Sequence, residues 1–497
     1  MEVLNNIFQK INKWAEDHYK ILSLITIALF IYMTLVGIGI HKPWFDETQA
    51  WLIAQDLSFL DILKQMKYEG HMFLWFLAIM PWAKMHLAYP LPMQLTNLVF
   101  IWLAVIVFMK KSPLNPILNI LVVFSFPIAY QYAVIARPYA MGILFLFLLA
   151  ALYKDKLKRP VLYSVCLFLC ANTSSMALVG AIAFALLFMI DYFKTKKEFW
   201  KTTEFYIILS IALATVAILG YQLLGADKQV DIHRSLYLAS TPLVYWAYAI
   251  NDGINRIIKF WTYGPMMIVS LLYLIIAIIG LYKEKESLIF FSLTTTMLTV
   301  IFIFLYKGSQ WHHFFYFIYL IISLWLYKLN NGKVNSDHKL LYILFILILL
   351  GFVKVTPLQY LLDIIKPSSN AQMFVDKIDK EKKYKDGFLV LGDDASTNLV
   401  PYLRQHNLKA YNYYNGKEAS FWDRKYEVPF FLTKDVLVPK YFEQYETKPI
   451  YLLAANGIRK GYEMLQSQYY DVEIQMCEKK GQQDIGQYCL LELKRKK

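Results

Sequence analysis

The chain has 497 residues, 58% apolar and 17% aromatic, with a mean hydropathy of +0.39. Soluble domains run at about 45–50% apolar and about 25% charged, whereas charged residues here make up 18%. That excludes disordered, collagen-like and disulfide-scaffold classes and argues against a wholly soluble enzyme. The formal charge of +14 is concentrated early: 29 basic against 18 acidic residues up to Thr356, and 22 against 19 beyond it. Basic loops beside anionic lipid account for such an excess without nucleic acid.

Residues 1–20 read as a mixed-charge amphipathic helix. No short apolar core with a small-residue cleavage site follows, so an uncleaved anchor is expected. A helix crossing a bilayer needs about 20 apolar residues. Such stretches fall near 21–40, 92–109, 115–134, 140–153, 161–171, 176–193, 204–221, 265–282, 287–305, 313–329 and 340–357, which predicts about eleven spans. Every second connection is short and basic: Lys110 and Lys111, then Lys154 to Arg159, Lys194 to Lys201, Lys283 and Lys285, and Lys328 to Lys339. By the positive-inside rule these face the cytoplasm together with the N-terminus. An odd number of spans then leaves the C-terminus outside a multi-pass plasma-membrane protein. The apolar segment 71–85 would invert every later loop if it crossed. Its Pro81 and its rings Phe73, Trp75, Phe76 and Trp82 suit an interfacial helix on the outer leaflet instead.

Beyond Pro357, turn residues and charges return and apolar runs shorten. Strands are predicted at 387–391, 409–414 and 449–454, helices at 397–406 and 461–469, and a closing hairpin pairs 472–476 with 488–493. Residues 1–357 therefore read as an all-α polytopic membrane domain, and 358–497 as a small extracytoplasmic α/β domain. Cys477 and Cys489 lie on the two arms of the hairpin, either as a disulfide or as two free thiols. Cys166 and Cys170, one helical turn apart in a span, suit apolar packing. No Cys or His spacing reads as a metal site, and no Walker, nucleophile-elbow or dinucleotide fingerprint occurs.

Polar groups that could carry chemistry gather outside the membrane. The first outer loop opens with Asp46 and Glu47 just past the first span. Asp46 with Gln49 also fits a capping box for a helix running to about Asp56, and Ser58 with Asp61 repeats that cue. A capping residue is held rigidly and can still face a cleft. Glu69 and His71 follow in the same loop, as solvated surface groups or as site residues. Arg137, between two apolar spans, either snorkels to headgroups or binds a lipid phosphate. Trp311, His312 and His313 form a later outer turn that suits interfacial anchoring or substrate contact. Asp231, His233 and Arg234 lie in a long outer loop able to cover a site. Asp393 and Asp394 follow a strand, where turn formation explains them.

The segments Trp44-Phe45-Asp46-Glu47, Gly70-His71-Met72-Phe73-Leu74-Trp75, Ala136-Arg137-Pro138-Tyr139-Ala140 and Trp311-His312-His313 resemble the C-type (GT-C) membrane glycosyltransferases. Within these the chain looks most like bacterial relatives of protein O-mannosyltransferases and lipid A aminoarabinose transferases. The likeness covers the membrane half, with a looser echo at Ala419-Ser420-Phe421-Trp422-Asp423. It implies a polyprenyl-phosphate-linked sugar donor, an extracytoplasmic active site and a glycan, glycolipid or protein acceptor of the cell envelope. It implies Asp46 as general base with Glu47 assisting, and substrate contacts from Glu69, His71, Arg137, His312 and His313. Gly70 stands where the aminoarabinose enzymes have a lysine. Arg137-Pro138 stands where many relatives carry a second acid, which suits direct phosphate binding without a cofactor or an essential divalent metal.

The chemistry is coherent: a sugar hydroxyl becomes nucleophilic when a carboxylate accepts its proton, and basic donors stabilise a departing phosphate. A single displacement inverts the anomeric centre. A transporter or lipid flippase is the main alternative. It calls for charged or broken segments at mid-membrane, often as paired repeats, and the sequence has no internal repeat. A non-catalytic assembly protein, in which Asp46 would be dispensable, is a third reading.

Overall fold

The computed structural model describes residues 2–224, 267–305, 308–331, 339–412, 416–423, 448–455, 470–484 and 486–495. The protein is mostly helical, with a small C-terminal sheet. The amphipathic N-terminus is helix α1 (Glu2–Asp17), and α2 (Tyr19–Ile40) is a 22-residue apolar helix. Three short helices follow: α3 (Phe45–Asp56), α4 (Phe59–Gln65) and α5 (Leu74–Lys84). At about 1.5 Å per residue, the 11 residues of α5 rise about 16 Å, too little to cross a hydrocarbon core of about 30 Å.

Among the described residues, six helices are long and apolar enough to span a membrane: Tyr19–Ile40, Leu91–Lys111, Ser175–Thr195, Thr203–Leu223, Lys285–Phe302 and Lys339–Ile365. By length and composition these are helices of a membrane protein. The expected count of about eleven is not confirmed among these residues: Met267–Leu281 and Phe315–Asn331 are apolar helices of 15 and 17 residues, and three further expected spans are short or broken elements that start at or just after a proline. Residues 115–134 form the helix Pro116–Val123 and then a wide π-type turn, Pro127–Gln131, rather than one rod. Tyr139–Ala151 and Pro160–Ala171 are apolar but only 13 and 12 residues long. Pro116, Pro127, Pro138 and Pro160 each stand at or just before the start of one of these elements. Proline is well placed at a helix start but lacks the N–H that would continue a helix through it.

The chain divides into two compact units. The first comprises Met1–Gly37, Leu63–Trp75 and Asn97–Gln359. Its helices approach closely where small residues remove bulk, as membrane helices do. A Cβ on Gly180 would lie 2.5 Å from Leu146 Cδ2 and 2.8 Å from Tyr319 Cε1, and the Gly180 N–H donates to the Tyr319 hydroxyl at 2.9 Å. A buried aromatic core of Phe147, Trp325 and Phe108 packs alongside, with ring centroids 5.0–6.0 Å apart.

The second unit joins Ile38–Ile62 and Phe76–Thr96 to Tyr360–Lys497. Its five-stranded sheet has the order β2-β1-β3-β5-β4, with β1 Phe388–Leu391, β2 Ala410–Asn412, β3 Ile450–Ala454, β4 Tyr470–Cys477 and β5 Cys489–Arg495. β1 runs parallel to β2 and β3, while β3–β5 and β5–β4 are antiparallel. The central strands bury Leu389, Val390, Leu452, Leu453, Leu490 and Leu491. The helix Ala371–Lys380 adds Phe374, Val375 and Ile378 to that core. Residues 397–406 are a 3-10 turn running into the helix Val400–Gln405. Cys477 and Cys489 pair in register across the closing hairpin and form a disulfide. The helix predicted at 461–469 lies outside the described residues.

Candidate functional site

In the second unit, α3 starts after the four residues 41–44 that follow α2. Its N-cap is Trp44, and the carboxylate of Glu47, three residues on, accepts the Trp44 N–H at 3.2 Å. The expected capping pair of Asp46 with Gln49 is thus displaced by two positions, to Trp44 with Glu47: Asp46 is the second helical residue and Glu47 does the capping. At Ser58 and Asp61 the expectation holds. The Asp61 N–H donates to Ser58 Oγ at 3.2 Å, and Ser58 Oγ donates to Asp61 Oδ2 at 2.6 Å.

Neighbours on a helix point about 100° apart, and the two carboxylates have different surroundings. Glu47 is 0% exposed, and its Oε2 lies 2.9 Å from His41 Nε2. The other ring nitrogen of His41 lies 3.5 Å from Asp363 Oδ2 and 3.1 Å from Ser368 Oγ. Ser368 Oγ donates to Asp363 Oδ1 at 3.2 Å, and Gln482 Nε2 donates to the same oxygen at 3.0 Å. Burial opposes a charge on His41, but the carboxylates of Glu47 and Asp363 outweigh it and push the pKa up to about 9. The core of this unit therefore holds an imidazolium between two carboxylates. Asp46 is only part-buried. It sits in the first turn of α3, where the helix dipole favours negative charge.

The body of α3 is fixed as firmly as its start. Thr48 Oγ1 donates to Asn398 Oδ1 and meets the Tyr89 hydroxyl at 2.8 Å. Asn398 Nδ2 donates to Ser369 Oγ at 2.9 Å and to the Tyr488 hydroxyl at 2.8 Å. Gln49 forms a reciprocal pair with the backbone of Trp422, each bond 2.8 Å long. At the far end, Arg404 makes a bidentate contact with Asp56, at 2.8 and 2.9 Å.

In the first unit a directed chain of hydrogen bonds links three of the expected residues. The Ser309 N–H donates to His312 Nδ1 at 2.9 Å, so the ring proton of His312 is on Nε2. Nε2–H then donates to the Tyr139 hydroxyl at 2.8 Å. Arg137 Nη2 donates to His71 Nε2 at 2.7 Å, which makes that nitrogen an acceptor, and the Tyr139 hydroxyl donates to it at 3.4 Å. Burial, then the Arg137 guanidinium and His313, hold the His312 pKa well below the ordinary imidazole value. His71 is anchored by a backbone bridge to Ser174.

Asp46 and Glu47 thus belong to the second unit, and Glu69, His71, Arg137, His312 and His313 to the first. Among the latter, His71, Arg137 and His312 gather around Tyr139. Glu69 is 5% exposed and accepts Gln65 Nε2 at 3.2 Å. His313 packs edge-on to Phe302 at 4.5 Å and acts electrostatically on His312. Asp393 forms a turn, as expected, accepting the N–H groups of Ser396 and Ala455 at 2.8 Å each. Asp231, His233 and Arg234 lie outside the described residues. Among those residues, no group of three or more His, Cys, Asp or Glu side chains is arranged to hold a metal ion.

Sequence reasoning missed His41, Asp363 and Tyr139. A signal existed for Asp363, the single acid in the apolar run 339–365, because an ionisable group in such a run calls for a partner. No protein-family model and no curated protein matches the chain.

Proposed function

We propose that the chain is an integral-membrane glycosyltransferase of the GT-C type. It moves a sugar from a polyprenyl-phosphate donor to an extracytoplasmic acceptor of the cell envelope. The carboxylate of Asp46 takes the proton of the acceptor hydroxyl, whose oxygen attacks the anomeric carbon. The carbon–oxygen bond to phosphate breaks, and polyprenyl phosphate leaves with the electron pair. Arg137 is assigned to the donor phosphate, with His71 and His312 holding its surroundings. About eleven membrane segments, a cytoplasmic N-terminus and an outer C-terminal domain complete the reading.

The observation that carries it is the contrast at the start of α3. Asp46 is part-buried at the first turn of a helix pinned along its length, immediately after a long apolar helix. Its neighbour is fully buried and bonded to His41 and the Trp44 N–H. This contrast supports reading Asp46 as the carboxylate that takes the proton and Glu47 as the one that holds the helix start. A transporter gives no reason for such rigid placement outside the apolar segments.

The test is transfer from a radiolabelled polyprenyl-phosphate sugar to envelope acceptors in membranes holding wild type or Asp46→Asn at matched expression. The expected result is a loss of about 10²–10⁴-fold in the variant. Equal transfer by both would remove Asp46 from the chemistry.

A further inference from the structure

The second unit contains a cavity of about 500 Å³ that none of the roles above uses. It lies where the three parallel strands begin. Gly387 precedes β1, Lys409 precedes β2, and Lys448 stands two residues before β3. In the sheet order β2-β1-β3, the two lysines flank the central glycine, on strands about 10 Å apart. Gly387 has to be small: a Cβ there would run into the Tyr451 ring.

Charge is arranged unevenly around this space. Lys385 and His406 also line it, but both face acids: Lys385 pairs with Asp379 at 2.6 Å, and His406 lies 3.0 Å from Asp376 and 3.1 Å from Asp379. Lys409 and Lys448 are exposed and have no ion-pair partner among the described residues. None of the lining residues among those described is acidic, and the adjacent Asp386 is not one of them. Tyr411, half-buried and stacked on Phe388 with centroids 4.5 Å apart, gives an aromatic wall. Two ammonium groups with no ion-pair partner among the described residues, beside an aromatic ring, suit a ligand with anionic groups and apolar C–H faces. The volume falls within the range of about 300–1,000 Å³ typical of discrete ligand sites. A surface for anionic lipid would instead be an open run of bases.

We infer that this cavity, between Lys409 and Lys448 at the start of the parallel strands, binds a phosphate-bearing glycan or polyol chain. As a class of acceptor, such a chain deepens the transferase reading and, as an acceptor, rests on it. Binding itself is measured without a donor, so the two can fail separately.

The test uses the full chain in nanodiscs of phosphatidylcholine and titrates a glycerol-phosphate oligomer against an uncharged glucan oligomer of similar length. Wild type is compared with the double variant Lys409→Gln, Lys448→Gln, with the charge-preserving pair Lys409→Arg, Lys448→Arg, and with Lys480→Gln, an exposed lysine outside the cavity. The double Gln variant is expected to bind the phosphate oligomer at least tenfold more weakly. The Arg pair and Lys480→Gln should bind within about threefold of wild type, and the uncharged oligomer should show no dependence on the lysines. The same pattern in an Asp46→Asn background, with transfer absent, would separate binding from chemistry. Equal binding by wild type and the double Gln variant would overturn the inference. So would a Gln-pair defect seen only with phosphatidylglycerol nanodiscs, which would make the site a lipid contact.

Discussion

At the scale of single residues, the decisive contact is His41 between Glu47 and Asp363. Removing one partner of a buried charge cluster leaves the others uncompensated, at a cost of about 3–5 kcal/mol. His41→Ala is therefore expected to lower the melting temperature of the purified protein sharply, and an unchanged melting curve would refute the cluster's structural role. The pH dependence has a definite sign. The ordinary value of 6.5 is pushed up to about 9 in the fold. The stabilisation is thus fully present below about pH 6.5 and is lost as pH rises through about 9. Melting temperature against pH should show this decline in wild type, and His41→Gln should lack it. The position of the Asp46–Glu47 pair just past an apolar run is legible in the sequence. The division of roles between the two is not, because it depends on Asp363 and Ser368 from the far end of the chain.

At the scale of elements, α3 is a short helix held by tertiary contacts. Twelve residues are marginal as an isolated helix, so the bonds of Glu47, Thr48, Gln49 and Asp56 fix its position. Asn398 is central, since it is 0% exposed and contacts Thr48, Ser369 and Tyr488. Asn398→Ala leaves those groups without their partner, and a loss of about 1–3 kcal/mol is expected in thermal or denaturant unfolding. A variant as stable as wild type would show that the network is dispensable. The end of α3, the start of α4 and the strand positions were readable from capping residues and apolar runs, whereas the cap of α3 lies at Trp44 rather than Asp46. The break within 115–134 was not, because hydropathy averages over Pro127 and the turn it starts, whereas the backbone does not.

At the scale of the whole molecule, the proposed orientation rests on basic loops, and labelling checks it directly. With a membrane-impermeant maleimide, Lys480→Cys should react in intact cells and Lys158→Cys only after permeabilisation; the reverse pattern would invert the topology. The disulfide agrees with an oxidising exterior. The pairing of 477 with 489 was open in the sequence, because strand register, not spacing, brings the two cysteines opposite each other. The α/β character of the C-terminal domain was legible because its strands are short apolar runs between turn residues. The number of crossings was less so, because short apolar helices and full spans share a composition.

The most direct test of the account compares Asp46→Asn with Glu47→Gln in the purified, reconstituted protein, measuring single-turnover sugar transfer at a temperature where both variants stay folded. The prediction is that Asp46→Asn loses about 10²–10⁴-fold in rate with its melting temperature nearly intact. Glu47→Gln should keep most of its rate and lose stability instead. Near-wild-type turnover by folded Asp46→Asn, with Glu47→Gln folded but inactive, would contradict the assignment of the base.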